Sequence, residues 1–236
     1  MSVLRYLLTF LILLTVSAAA AGDSNIFFRD DFNDLANWKP LDFPRVKKHS
    51  TYSIEKQGDE SFLKAQSNAS ASAIVFRETF NAFDYPKVKW RWKVDNVYKK
   101  GDALEKSGDD YPIRIYIFFE YDSKKASLGE KIKFALAKAF YGEYPPYSSL
   151  NYIWESRPEE KKIITSTYAK ESQMIVLEAG KENVGRWMDE EVNIIEDYHK
   201  AFGEDPPPAA SIAIMNDSDD TGESSTSYID YIQVYR

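Results

Sequence analysis

The sequence predicts an all-β fold: a single antiparallel β-sandwich or jelly roll, lectin-like, with two short helices inserted. Three observations predict it. Apolar and polar residues alternate with period two along most of the chain, as they must on strands with one buried and one wet face. Clusters of Gly, Pro, Asn and Asp separate the alternating runs, marking turns at short intervals. Helical spacing of apolar residues is confined to two stretches.

Taken in order, strands are expected over residues 26–32, 51–56, 61–66 and 72–80. The clearest is 86–95, where Val88, Trp90, Trp92 and Val94 alternate with Lys87, Lys89, Arg91 and Lys93; such alternation places both tryptophans in the core. Residues 112–121 repeat the pattern, with Ile113, Ile115, Ile117, Phe119 and Tyr121 on one face and Arg114, Tyr116, Phe118 and Glu120 on the other. The first helix is expected over 127–140. Ser127 and Glu130 read as a capping box, and Leu128, Ile132, Leu136 and Phe140 form an apolar stripe opposite Lys131, Lys133 and Lys138. Strands follow at 150–155, 161–167 and 173–179. The second helix is expected over 188–202, stopped by Gly203 and Pro206-Pro207-Pro208. Strands at 210–216 and 227–235 close the chain.

Residues 1–21 read as an export leader: Arg5, an apolar run from Tyr6 to Val16, then small residues to Ala21. The run is too short to span a bilayer. Cleavage there leaves one domain, 22–236, expected in the periplasm or the medium. The 236-residue chain holds 37 acidic against 30 basic residues, a net charge of −7, and shows no basic cluster, which argues against a nucleic-acid partner. It contains no cysteine, so disulfides, thiolate nucleophiles and cysteine-based zinc sites are excluded. His49 and His199 are its two histidines, which rules out a three-histidine metal site.

Ile212–Gly222, IAIMNDSDDTG, runs an apolar strand straight into an acidic turn. Asp217, Asp219, Thr221 and Gly222 match the start of an EF-hand loop, but Tyr228 stands where that loop needs its bidentate Glu. A looser Ca²⁺ seat from Asp217, Asp219, Thr221 and Glu223 is one reading; an Asp-rich solvated turn is the other. Asp109 and Asp110 precede the strand bearing Arg114 and Tyr116. Arg114 can orient a sugar hydroxyl or carboxylate and Tyr116 can stack on a sugar ring; the alternative is a structural Asp110–Arg114 ion pair. Tyr141, Tyr144, Tyr147, Tyr152 and Trp154 crowd fourteen residues, either as a sugar platform or as core.

Four islands, GDDYPIRIYIFF (108–119), LNYIW (150–154), GRWMDEEVNIIEDYHKAFGEDPPP (185–208) and IAIMNDSDDTG (212–222), resemble in this order the bacterial exported family catalogued as domain of unknown function 3047. The positions that match its motifs are Asp110, Arg114, Tyr116, Trp154, Trp187, Asp197, Tyr198, Phe202, Gly203, Asp217, Asp219, Thr221 and Gly222; Asp220 stands where the family typically has Asn. The resemblance implies a bacterial envelope setting and a sandwich akin to glycan-binding domains, and no activity. The expectation is therefore a non-catalytic binder of an oligo- or polysaccharide through Asp110, Arg114, Tyr116 and Trp154, with Ca²⁺ at the acidic turn. The rivals are a carboxylate-dependent glycoside hydrolase or lyase on the same scaffold, and an envelope scaffold that binds another protein through helix 127–140.

Overall fold

In the computed structural model, which describes residues 25–44, 46–122, 128–129 and 146–236, the alternating runs become strands of two facing sheets. The expected leader lies outside the described residues. So do Tyr141, Tyr144 and the expected helix 127–140, Leu128 and Gly129 apart.

Among the described residues the strands are β1 (Ile26–Asp30), β2 (Trp38–Leu41), β3 (Thr51–Gln57), β4 (Glu60–Asn68), β5 (Ala71–Phe76), β6 (Phe80–Asn81), β7 (Lys87–Val94), β8 (Arg114–Phe119), β9 (Ser148–Glu155), β10 (Ile163–Thr165), β11 (Ser172–Ala179), β12 (Met188–Asn193), β13 (Ala209–Asp217) and β14 (Ser224–Tyr235). One sheet runs β12-β7-β14-β4-β3, with β1 beside β14; the other runs β10-β11-β9-β8-β13-β5-β2, with β6 beside β13. β14 is long enough to pair with β4 through its first half and with β1 through its second.

The core fills the space between the sheets. Val88, Trp90, Trp92 and Val94 are fully buried, as are Ile113, Ile115, Ile117 and Phe119 opposite them. Trp90 meets Trp92 edge-on at 5.4 Å and Tyr152 at 5.5 Å, and Trp92 meets Trp154 at 5.9 Å. Helix α1 (Ile194–Phe202) closes one side of this core. Asn193 caps it by accepting from the N–H groups of Ile195 and Glu196, which satisfies donors no helical carbonyl can reach. Gly203 ends it in the left-handed region, φ 76°. Tyr198, buried on the inner face, packs on Phe119 and shares a hydrogen bond with Ser148.

Four details depart from the sequence reading. The expected helix over 188–202 begins only at Ile194, because Met188, Glu190 and Val192 alternate and pair with Trp92, Trp90 and Val88 on β7. The expected strand 72–80 is two strands, β5 and β6. β2 was not anticipated: it contains Pro40, which a sheet admits only where no partner needs its N–H, and it lies on the sheet edge. β9 and β11 pair in parallel within an otherwise antiparallel framework.

Candidate functional site

The acidic turn after β13 is built by exchange with the long loop between β7 and β8. Asp110 on that loop accepts the backbone N–H groups of Asp220 and Thr221, at 3.4 and 2.6 Å. Asp217 accepts from the N–H of Tyr111 at 3.3 Å and forms an ion pair with Arg114. Gly222, at φ 70°, lets the turn close by donating to the Ser218 carbonyl at 3.0 Å. The loop is fastened at its other end too. Glu223 accepts from the N–H groups of Lys99 and Lys100, and Gly101 lies so close to Ser156 that a side chain there would collide with its hydroxyl.

Electrostatically this end is unbalanced. Asp109, Asp110 and Asp217 are each at most 4% exposed, and Arg114, at 6%, is the buried cation among them. Burial opposes the Arg114 charge, but Asp217, Tyr116 and Asp109 hold its guanidinium well above the usual range. Burial pushes the Asp217 carboxyl up; Arg114 pulls it back down, and the nearby Asp110 and Asp109 push it further up. Burial raises Asp109 and Asp219 as well. One oxygen each of Asp110, Asp217 and Asp219 lie within 4.8 Å of one another. An all-carboxylate donor set with surplus negative charge fits a hard cation such as Ca²⁺.

Beside the turn lies an open groove of about 750 Å³, lined by Lys48, His49, Thr51, Gln66, Ser67, Asn68, Ser70, Asn96, Ser224, Ser225 and Thr226. Strand register explains the lining. Thr51, Gln66 and Thr226 are cross-strand neighbours on β3, β4 and β14, and Asn68 faces Ser224 two residues further along. The turn from β4 to β5 forms the lip, where Ala69 adopts φ 47°, a region L-residues enter at a cost of about 1 kcal/mol; its N–H is held by the Glu223 carbonyl at 2.8 Å. Beneath the groove, Tyr98 donates to the Asp217 carbonyl at 2.6 Å and lies within hydrogen-bonding distance of the Ser67 and Ser225 hydroxyls. Burial pushes the Tyr98 phenol far up, so its proton stays in place.

The structure separates the residues expected to bind ligand. Arg114 and Tyr116 lie on the outer face of β8, but Trp154 does not join them. Arg114 is opposite Ile153, so Trp154, one residue on, points inward to Trp92. It is fully buried and its indole N–H donates to the Gly180 carbonyl at 3.3 Å. Tyr152 is core as well, while Tyr147 is half-buried. Arg114 pairs with Asp217 and lies 3.8 Å from Asp109, so the anticipated Asp110–Arg114 pair is not formed. Burial pushes Tyr116 up to about 12; it stacks on Phe118 at 4.9 Å. In the acidic triad Asp110 stands where Glu223 was expected, because Glu223 is engaged by the backbone of Lys99 and Lys100. Thr221 is buried and its hydroxyl accepts from the Glu223 N–H. Sequence reasoning missed the groove residues altogether. The run Ser224-Ser225-Thr226-Ser227 was the available signal: four consecutive polar residues at a strand's start, where one face should be apolar.

The family model described as "Protein of unknown function (DUF3047)" matches residues 36–233. No curated protein matches the sequence. Among solved structures, the chain is similar to a family 11 carbohydrate-binding module from Clostridium thermocellum in complex with a β-1,3-1,4-mixed-linked tetrasaccharide, at 10% identity and TM-score 0.39, covering 89% of this chain and 94% of that one. It is also similar to a family 30 carbohydrate-binding module of a C. thermocellum cellulosomal cellulase, at 7% and 0.39, covering 83% and 92%. Endoglucanase 3 of Trichoderma harzianum, from family GH12, gives 7% and 0.38, covering 84% and 97%. Likeness at this level carries no argument about ligand or activity.

Proposed function

The chain belongs to the DUF3047 family, and for this member we propose glycan binding without turnover, by an exported domain of the bacterial envelope. The groove beside the acidic turn carries the reading. Its lining is hydroxyls and amides with one lysine and one histidine, groups that donate and accept as sugar hydroxyls do. Convergent polar groups of this kind fix a ligand's orientation. Two of them, Ser67 and Ser225, are set in place by the buried Tyr98, which lowers the ordering cost of binding. No Phe, Tyr or Trp is among the described residues that line the groove, so affinity rests mainly on hydrogen bonds. The triad Asp110, Asp217 and Asp219 supplies the seat for Ca²⁺ in this reading, bracing the groove's rim.

Native mass spectrometry with a pool of bacterial and plant oligosaccharides tests the proposal. Intact-sugar adducts are expected, weakened in Gln66→Ala and Asn68→Ala variants, both of which change exposed side chains and should leave Tm in place. Shortened or unsaturated sugars would assign turnover instead, and adducts indifferent to both substitutions would move the site elsewhere. For the cation, Ca²⁺ is expected to raise Tm over EDTA by mass action, about 2.7 kcal/mol of stability at a hundredfold excess over Kd; an unchanged Tm removes it.

A further inference from the structure

We propose that the groove selects an anionic glycan, one bearing carboxylate or sulfate groups, through Lys48 and His49. The inference rests on the glycan-binding reading above and adds the ligand's charge. The carrying observation is which ionic groups line the groove. In a chain of 37 acidic and 30 basic residues, none of the eleven described residues that line the groove is Asp or Glu, and Lys48 and His49 are both present. A carboxylate is the strongest acceptor for neutral sugar hydroxyls, because charge-assisted hydrogen bonds are about twice as strong as neutral ones. This lining has none. Its amides and hydroxyls serve the ring hydroxyls, and its charge serves an anion.

The wall that bears Lys48 and His49 is also held in position. The Lys48 carbonyl accepts from the N–H of Ala71 at 3.1 Å, the Ser50 carbonyl accepts from the Ser72 hydroxyl at 3.0 Å, and the Ser50 hydroxyl donates to the Asn216 carbonyl at 2.7 Å. Backbone on either side of His49 is thereby tied to β5 and β13, while both side chains are exposed. Asp42 lies 3.5 Å from His49 Nδ1, which leaves Nε2 as the nitrogen to serve a ligand. Lysine, a compact point charge with three donors, suits carboxylate and sulfate alike.

Isothermal titration with the full chain at about 50 mM salt, using a galacturonate hexasaccharide, a chondroitin sulfate hexasaccharide and cellohexaose, tests the inference. At least one anionic probe is expected to bind about tenfold or more tighter than cellohexaose, to weaken on raising salt to about 300 mM, and to lose about tenfold in Lys48→Ala. Which anion binds separates carboxylate from sulfate. Lys48 is exposed, so an unchanged Tm for the variant confirms that any loss is of binding. Cellohexaose binding as tightly as the anions, or Lys48→Ala without effect, overturns the charge inference and leaves the glycan reading standing. Binding of none of the three, nor of any sugar in the wider pool, sinks both.

Discussion

The two halves of this molecule are held by opposite means. Between the sheets, Trp90, Trp92, Tyr152 and Trp154 form a dry aromatic layer. At the end where the β7–β8 loop meets the acidic turn, Asp109, Asp110, Arg114, Asn216, Asp217 and Tyr98 are nearly as inaccessible, yet they are joined by hydrogen bonds and ion pairs. The dry layer is stabilised by area and shape, so it tolerates change that preserves volume. The polar end is stabilised by pairing, and removing one partner of a buried charge costs several kcal/mol. Sites that need preset polar groups are built from the second kind of material, and the groove sits against it.

Substitutions can break this comparison. The largest effect is expected from Trp92→Ala, which empties the dry layer: about 3–5 kcal/mol lost in denaturant unfolding, against clearly less for Trp92→Phe. Arg114→Met should cost about 3 kcal/mol although it keeps much of the volume, because Asp217 and Asp109 lose their counter-charge. Adding Asp217→Asn should restore most of that loss. If Arg114→Met is neutral alone, the polar end is not held by charge pairing and the contrast fails.

A pH titration sharpens the contrast. Burial pushes the Glu155 carboxyl up from 4.5 to about 7, and one of its oxygens has no hydrogen-bond partner. Folded protein therefore keeps this proton where unfolded chain has released it. The stabilisation is fully present below pH 4.5 and is lost as pH rises through about 7, about 3 kcal/mol at most. Glu190, pushed up to about 7 by burial and then by Glu178, acts in the same direction; it is more exposed, so its share is smaller. Glu155→Gln should flatten the profile between pH 5 and 8 and be more stable than the parent at pH 8. The smallest effect is expected from Asn193→Ala, about 1 kcal/mol from the lost cap of α1, measurable as a shift in Tm with both the dry layer and the polar end intact.

Much of the strand content and the tryptophan core was legible in the residues. Where one face is buried and the other wet, side chains must alternate; 86–95 does so throughout, and 112–121 does so but for Phe118, an apolar residue on the outer face. The acidic turn was legible as a place, because carboxylates seldom crowd the end of a buried strand without some use. Its membership was not. Asp110 joins Asp217 and Asp219 from more than a hundred residues away, while Glu223, six residues from Asp217, is drawn off by the backbone of Lys99 and Lys100. Trp154 shows the same limit at shorter range: whether it shares a face with Arg114 depends on the register of β9 against β8, and a single residue of register reverses it.

The sequence by itself determined the two-faced strands, the buried Trp90 and Trp92, the family and the carboxylate-rich turn. The strands, the tryptophans and the turn follow from local periodicity and from residue chemistry that does not depend on partners; the family follows from the resemblance of whole sequence islands. Only the tertiary structure decided which carboxylates converge, that Arg114 is spent on Asp217, and that polar residues of β3, β4 and β14 line one groove. Each of those depends on which strands lie side by side and in what register, and that is settled by the burial of the whole core rather than by any segment of it.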